Sequence, residues 1–405
     1  MDWYHYIALV MIITQLLFAI QMFRNYKYVL SKYQKKRASY RPKTVLIVPC
    51  KGHDLNFEKN IASFFKQDYE NYLLWFVVQE EEDPAYGKLC QLKKQLEQNS
   101  KAKLVQILIA GKGQQCSQKI HNLLHCYRNI GEDVDVMAFA DSDICVHSDW
   151  LSHIVYPLRK ENCGASSGYR WFIPKKNNLA TLALSSVNAK VAQLLGNTHF
   201  NQVWGGSMAI RVETFRKLGL EKIWEKSLSD DLSLSISVKK ARLKVAFVPA
   251  CIAASYEITS WKKLFEFGRR QFLITRIHAP GTWWFGLLCS LYSVVGLWGS
   301  IALAAYGFSI NAKYQTLLVG LPAVFFLGQM GRAILRQKMI SKVLKEHISR
   351  MKYAMAADII FFWAASIIML VFIVSSAIGR TIKWRGILYK IQRSTNTILV
   401  AKAKP

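Results

Sequence analysis

"DVDVMAFADSD", residues 133–143, sets an apolar run of strand character directly against two aspartates one residue apart. With 26 acidic residues against 54 basic ones in the chain, such a pair is not compositional background. The question it raises is what kind of sheet delivers these carboxylates. Three earlier runs follow the same plan: "TVLIVPC" at 44–50, "LLWFVVQ" at 73–79 and "LVQILIA" at 104–110. The first is a continuous apolar run ended by Lys51 and Gly52, as expected of a strand buried on both faces. Between them lie helical segments, with Leu55, Ile61, Phe64 and Phe65 at helical spacing in the first and further helices expected near 86–98 and 117–129. Alternating strand and helix predicts an α/β domain with a mostly parallel sheet. Ligands of such sheets collect beyond the carboxyl ends of the strands. That rule places Lys51, Gln79 with Glu80, and Asp141 with Asp143 on one rim.

The chain of 405 residues is 52% hydrophobic, more than one soluble domain of this kind needs. Residues 4–23, "YHYIALVMIITQLLFAIQMF", carry no acid or base except His5 and match the ~20 residues of a spanning helix. A charged start and a small-residue cleavage site are both missing, so an uncleaved anchor is expected rather than a signal peptide. Three more apolar stretches follow at 283–308, 315–331 and 355–378. The expected organisation is an anchor at 1–24, a soluble domain at 25–282, a membrane bundle at 283–379 and a basic tail at 380–405.

Basic residues set the expected orientation. Arg24, Lys27, Lys32, Lys35, Lys36, Arg37, Arg41 and Lys43 follow the first span without an acid among them, which predicts a cytosolic domain. The loop from Arg332 to Lys352 reads the same way. A single crossing at 355–378 would then carry Arg380, Lys383, Arg385 and Lys390 outward, so either the tail is an exception to the rule or one segment is re-entrant or interfacial; the exception is the expectation here. Asp358, near the start of that stretch, is expected to cap its helix at the membrane boundary. "ATLALSSVNAKVAQLLG" at 180–196 reads equally as an interfacial helix or a buried one. The formal net charge of +28 lies largely beside the apolar spans, where anionic headgroups attract it, and no nucleic-acid partner is expected. Eight cysteines without CxxC spacing suggest reduced thiols and neither a disulfide framework nor a zinc site.

Asp141 and Asp143 fit two readings: a polar turn after a strand, or hard oxygen ligands for magnesium or manganese, with phosphate oxygens completing the shell. A second pair, Asp230 and Asp231, opens a helical segment. One of the two is explained as an N-cap; the other is a candidate general base for an attacking hydroxyl. Gly205 and Gly206 permit close backbone approach, and Trp204 before them would either stack on a sugar or pack in the core.

"VLIVPCKGHDLNFEKNIASFFKQDYENYLLWFVVQEEEDPA", "GKGQQCSQKIHNL", "FADSD", "GGSMAIRVETF", "SDDLSLSISVKKARLKVAF" and "FEFGRRQFLITR", in that order over residues 44–276, resemble the ceramide glucosyltransferases. These are membrane-bound inverting glycosyltransferases related to processive synthases. The resemblance implies a nucleotide-sugar-binding domain of the GT-A type flanked by N-terminal and C-terminal transmembrane helices. It implies a UDP-sugar donor, a membrane lipid acceptor and a manganese or magnesium cofactor. Glu80, where an Asp is more usual, is implied to contact the nucleotide, with Lys51 nearby. Asp141 and Asp143 are implied to bind metal and diphosphate, with Lys119 and Asn122 as further contacts. Asp231 is the implied catalytic base, with Asp230 beside it.

The family's last motif, Arg or Gln, two spacers and Arg-Trp, meets Gly268, Arg269, Arg270, Gln271 and Phe272. Two cations and an aromatic ring are kept for leaving group and acceptor; the Arg-Trp pair is not. This departure leaves the acceptor open among ceramide, diacylglycerol, a hopanoid and other lipid alcohols. A processive polysaccharide synthase of the same fold and a non-catalytic membrane scaffold are the readings from other classes. The compartment, whether a bacterial inner membrane or a eukaryotic Golgi or endoplasmic reticulum membrane, is open too.

Overall fold

The computed structural model describes residues 3–402 apart from 36, 38, 54, 55, 114, 314, 385, 386, 394 and 395, and the side chains of 393–402 are not considered. Lys36, Leu55 and Arg385, invoked above, lie outside the described residues. In chain order the first elements are α1 (Trp3–Lys32), β1 (Thr44–Pro49), α2 (Phe57–Phe65), β2 (Tyr72–Val78), α3 (Pro84–Leu96), β3 (Leu104–Ile109), α4 (Gln118–Arg128) and β4 (Val136–Ala140). Then come α5 (Trp150–Val155), β5 (Cys163–Pro174), α6 (Leu179–Ala192), β6 (Ser207–Arg211), α7 (Val212–Lys217), α8 (Leu220–Trp224), α9 (Asp230–Lys240) and β7 (Lys244–Glu257). The chain continues through α10 (Trp261–His278), α11 (Pro280–Ser309), α12 (Gln315–Val343), α13 (Ile348–Ile360) and α14 (Phe362–Ser375). It ends in β8 (Thr381–Trp384), β9 (Ile387–Arg393) and β10 (Asn396–Lys402).

Seven strands form one sheet in the order β3-β2-β1-β4-β6-β5-β7. Pairs β1 with β2, β1 with β4, β2 with β3 and β5 with β7 are parallel, while β6 runs antiparallel to both neighbours. The expected mostly parallel sheet is therefore present. The apolar runs explain it. Along β1, Leu46 and Val48 face a core shared with α2, α3 and α5, and Val45 and Ile47 face a second core shared with α4, α8 and α9. A strand with two dry faces has no place for an alternating polar residue. Because the chain leaves β1 for β2 and β3 and returns to β4 on the other side, the sheet reverses direction between β1 and β4, and Asp141 follows β4 at that switch point.

Helices α1, α11 and α12, of 30, 30 and 29 residues, are long and apolar enough to cross a membrane. The third C-terminal stretch differs from expectation. It is not one straight helix: α13 and α14 meet at Phe361 with a bend of 84°. The tail beyond it is a three-stranded antiparallel sheet, whose Ile382, Tyr389 and Ile391 pack on Leu228 and Leu273 of the soluble domain. The Tyr389 hydroxyl also accepts from the Gln118 N–H at 3.4 Å. The tail and the soluble domain therefore lie on the same side of the helical bundle.

Asp358 does not cap a helix. It is fully buried in α13, with its carboxylate clasped by Arg336 of α12 at 2.6 and 2.5 Å and by Gln337 Nε2 at 2.6 Å. Arg336 Nη1 continues to Gln193 Oε1 at 3.0 Å, tying α12 and α13 to the end of α6. Helix α6 itself is largely buried, packed on β5, α13 and α14. Removing one partner of a buried ion pair strands the other charge, a loss of roughly 3–5 kcal/mol. Asp358→Ala should therefore lower the unfolding temperature in detergent sharply. Joint replacement of Arg336 and Asp358 by leucine should restore most of it, and a double variant as unstable as the single one would show that the pair is not what joins these helices.

Candidate active site

Four carboxylates and two cations meet where β4, α9 and the turn before β6 converge. Lys119, in the first turn of α4, stands between two of the acids, with Nζ 2.8 Å from Asp141 Oδ1 and 3.1 Å from Asp230 Oδ2, and it donates to the Gly205 carbonyl at 3.3 Å. Arg170 of β5 reaches Asp141 Oδ2 at 3.4 Å and Asp143 Oδ2 at 3.5 Å. Its guanidinium lies 4.8 Å from the Trp204 ring centroid, and Tyr169 meets the same ring edge-on at 6.0 Å.

The start of α9 separates its two aspartates. Ser229 is the N-cap, its Oγ accepting from the Leu232 N–H at 3.2 Å, so neither aspartate holds the cap position expected of one of them. Asp230 turns inward, buried, to Lys119. Asp231 stays partly exposed, with Oδ1 accepting from the Ser229 hydroxyl at 2.5 Å and the Leu232 N–H at 2.7 Å, and Oδ2 accepting from the Gly205 N–H at 3.1 Å. Both oxygens are thereby fixed in direction.

The two glycines are required by proximity. A Cβ at Gly205 would lie 2.4 Å from Asp230 Oδ2 and 2.9 Å from Lys119 Nζ; one at Gly206 would lie 2.2 Å from the Trp204 ring and 2.6 Å from Asp141 Oδ2. Such distances are far inside contact, so any side chain there displaces the acids.

Burial shapes the protonation of this cluster. Burial pushes Asp230 up to about 6; Lys119 opposes the shift, while Asp231 and Asp141 add to it. Burial alone would lower Lys119, but Asp141, Asp230 and Asp231 outweigh it and hold the ammonium above its usual range. Arg170 is likewise raised, with burial opposed by Asp143 and Asp141. His278, at the end of α10, is buried with neither ring nitrogen hydrogen-bonded among the described residues, and burial lowers it to about 4 against the pull of Asp231.

The structure thus gathers Lys119, Asp141, Asp143, Trp204, Asp230 and Asp231. Lys51 and Glu80 follow β1 and β2 on the same rim, the first half-buried and the second exposed. Asn122 is buried in α4, accepting from Gln118 Nε2 at 2.8 Å. The last-motif residues make other contacts. Arg269 donates to the Ser375 and Ile378 carbonyls at 3.1 and 2.9 Å, Arg270 to the Lys383 carbonyl at 3.4 Å, Gln271 is exposed, and Phe272 packs where α6, α10 and α14 meet. Arg170 and His278 were missed by sequence reasoning. A lone cation inside the apolar run "YRWFIP" was the available signal for the first; nothing local marked the second.

Residues 4–397 match the model of Glycosyl transferase family 21. The chain belongs to that family. Among solved structures it is similar to the mannosyltransferase PcManGT from Pyrobaculum calidifontis in complex with GDP-Man and Mn2+, at 12% identity over 92% of this chain and 97% of that one, TM-score 0.49. It is also similar to GalNAc-T7 with UDP, GalNAc and Mn2+, at 12% identity over 58% of this chain and 51% of that one, TM-score 0.40. The family 21 chain is a glycosyltransferase built on an α/β domain with a mostly parallel seven-stranded sheet.

Two outcomes follow for this family 21 enzyme. Gly205→Ala should cost at least about 10²-fold in transfer rate, the scale of a misplaced catalytic group, while circular dichroism stays native; retained activity would mean that the close approach to Asp230 and Lys119 is not used. Between pH 4 and 6 the folded chain keeps a proton on Asp230 that the unfolded chain releases, given its ordinary value of 3.8. Its contribution to stability therefore falls as pH rises through that window. Asp230→Asn should flatten the unfolding temperature against pH there, and an unchanged slope would reject the assignment.

Proposed function

We propose that this enzyme transfers a hexose from a UDP-sugar to a membrane lipid hydroxyl, with a ceramide-like acceptor favoured, in one inverting displacement. The observation that carries the reading is the placement of Asp231: partly exposed, oriented through both oxygens, and adjacent to a cluster whose remaining members suit a diphosphate. Asp231 takes the proton of the acceptor hydroxyl as its oxygen bonds to the anomeric carbon. The bond from that carbon to the diphosphate breaks on the opposite face, and UDP departs with the electron pair. Lys119 and Arg170 face the diphosphate and oppose its charge, which grows as the bond breaks. Lys51 and Glu80 meet the nucleotide on the outer rim, and Trp204 lends an aromatic face to the sugar. His278, neutral near pH 7, offers a hydroxyl one donor and one acceptor.

A divalent cation fits the donor set. Four carboxylates (Asp141, Asp143, Asp230, Asp231) against two cations (Lys119, Arg170) leave two negative charges, which one Mn or Mg ion balances. Among the described residues no group of three or more His, Cys, Asp or Glu converges as a metal cage. Asp141 and Asp143 would hold the ion, the nucleotide's phosphates filling other positions in the manner usual for magnesium. Bound there, it would supply Lewis-acid stabilisation of the leaving diphosphate.

Lipid as acceptor is supported by continuity. Helix α10 ends at His278, two residues before α11 opens with Pro280 and then Trp283 and Trp284, residues that favour a membrane boundary. The basic segment after α1 and the return of the tail to the soluble domain support a cytosolic active site. The test is transfer from radiolabelled UDP-sugars into a mixed lipid extract with manganese, comparing wild type and Asp231→Asn. Label should enter one discrete lipid, and the variant should lose about 10²–10⁴-fold in kcat with donor KM little changed. Label in high polymer would favour a polysaccharide synthase, and absence of transfer with any donor would leave a scaffold.

A further inference from the structure

A second polar centre lies away from the catalytic acids, inside the helical bundle. A partly open cavity of about 80 Å³ is lined by α1, α6, α11, α12 and α14. Its walls carry three cations, Lys190 from α6 and Arg332 and Arg336 from α12, together with the hydroxyls of Ser290 and Ser366. Arg336 is neutralised by Asp358 through the two bonds described above. The other two cations have no such partner. Lys190 donates to the Ser366 hydroxyl, a neutral group. Arg332 makes no hydrogen bond or ion pair among the described residues, and its guanidinium lies 5.4 Å from the Phe18 ring centroid. Two half-buried positive charges without counter-ions among the described residues carry a cost that a negative partner would relieve. The direction of the Lys190 shift agrees: burial first, then the charges of Arg336 and Arg332, push its ammonium well below the usual range, and Asp358 opposes them.

Depth says where an anion would come from. Helices of 29 and 30 residues are roughly 44 Å long at 1.5 Å per residue, against a hydrocarbon core of about 30 Å. Ser290 lies ten residues into α11 and Arg332 eleven residues before the end of α12, so both are about 15 Å from the domain-side helix ends. With the surplus helix length on that side, the cavity stands at headgroup level. Helix α6, a domain helix, brings Lys190 to the same level.

We infer that this cavity binds the phosphate of an anionic phospholipid headgroup from the leaflet on the domain side. Lys190 and Arg332 supply the two positive charges, Arg336 a third that Asp358 already balances, and the serines hydrogen bonds to the remaining oxygens. The inference rests on α1, α11 and α12 lying in a bilayer but not on the transfer reaction, so its test reads binding alone.

Purified protein in neutral detergent is titrated with phosphatidylglycerol, phosphatidylcholine or inorganic phosphate at fixed ionic strength. Unfolding temperature and bound lipid by native mass spectrometry are followed, in wild type and on an Asp231→Asn background. Phosphatidylglycerol should raise the unfolding temperature saturably, as a ligand of the folded state does, and phosphatidylcholine should not. Lys190→Gln and Arg332→Gln should each weaken that binding at least tenfold, whereas Lys262→Gln with Lys263→Gln, a surface control, should leave it unchanged. Should Arg332→Gln fail to fold, Lys190→Gln decides alone. An equal shift with inorganic phosphate, lost in the same variants, would overturn the lipid as the source and leave a free-phosphate site. Shifts equal between wild type and variants, or between the two lipids, would overturn the site altogether.

Discussion

The ammonium of Lys119, set between Asp141 and Asp230, joins three segments that are remote in sequence. It binds the end of β4 to the first turn of α9 and, through the Gly205 carbonyl, to the turn before β6. Without a cation at that point, the half-buried carboxylate after β4 and the buried one of α9 would face each other at close range and repel, a repulsion that a low local dielectric strengthens. The glycines follow from the same constraint, since the backbone must pass within contact distance of both the cation and the acids. So does the division of labour at α9. Once Asp230 is committed to Lys119 and Ser229 to the cap, Asp231 is left as the carboxylate with a partly exposed face.

What the sequence showed well was the part governed by short-range pattern. Apolar runs of strand length placed β1 to β4 within a few residues; β1, β2 and β4 are dry on both faces and cannot conceal their composition, while β3, at the sheet edge, keeps a weaker apolar signal. Helix α9 was placed by its aspartates, although the cap went to Ser229, the residue before them. The pattern failed where long-range packing decides. The 84° bend at Phe361 interrupts a stretch apolar on both sides, so hydropathy registers no break. Asp358 looked like a boundary residue because its partner, Arg336, is 22 positions away on another helix. Arg170 could not be joined to Asp141 and Asp143 by spacing, since the sheet order that brings β5 near β4 depends on an antiparallel β6 between them.

The altered last motif has a packing explanation. At Gly268 a Cβ would lie 2.3 Å from the Phe372 ring, so α14 leaves no room for a side chain at this position. Arg269 and Arg276 then satisfy carbonyls at the end of α14 and beyond, with Arg269 bonded to Ser375 and Ile378 and Arg276 to Gly379. Gly268 and these arginines together dock the bent helix pair and the strand tail onto α10. Residues at the motif's position thereby also hold the bundle against the α/β domain.

That docking bears on how a soluble donor and a lipid acceptor meet. Helix α10 touches α9, which carries Asp231, and also α11 and α14 in the bundle. A helix packed on both layers fixes the position of the carboxylate relative to the helical bundle, which a flexible linker could not do. Under the proposed transfer to a lipid, the acceptor hydroxyl would sit at a depth set by its headgroup, and the proposed base would have to sit at a matching height for in-line attack. On the proposed mechanism the contacts of Gly268 with Phe372 and of Arg269 with the end of α14 would act on catalysis through geometry, by setting where Asp231 stands relative to the bundle and hence which headgroup length its acceptor could have.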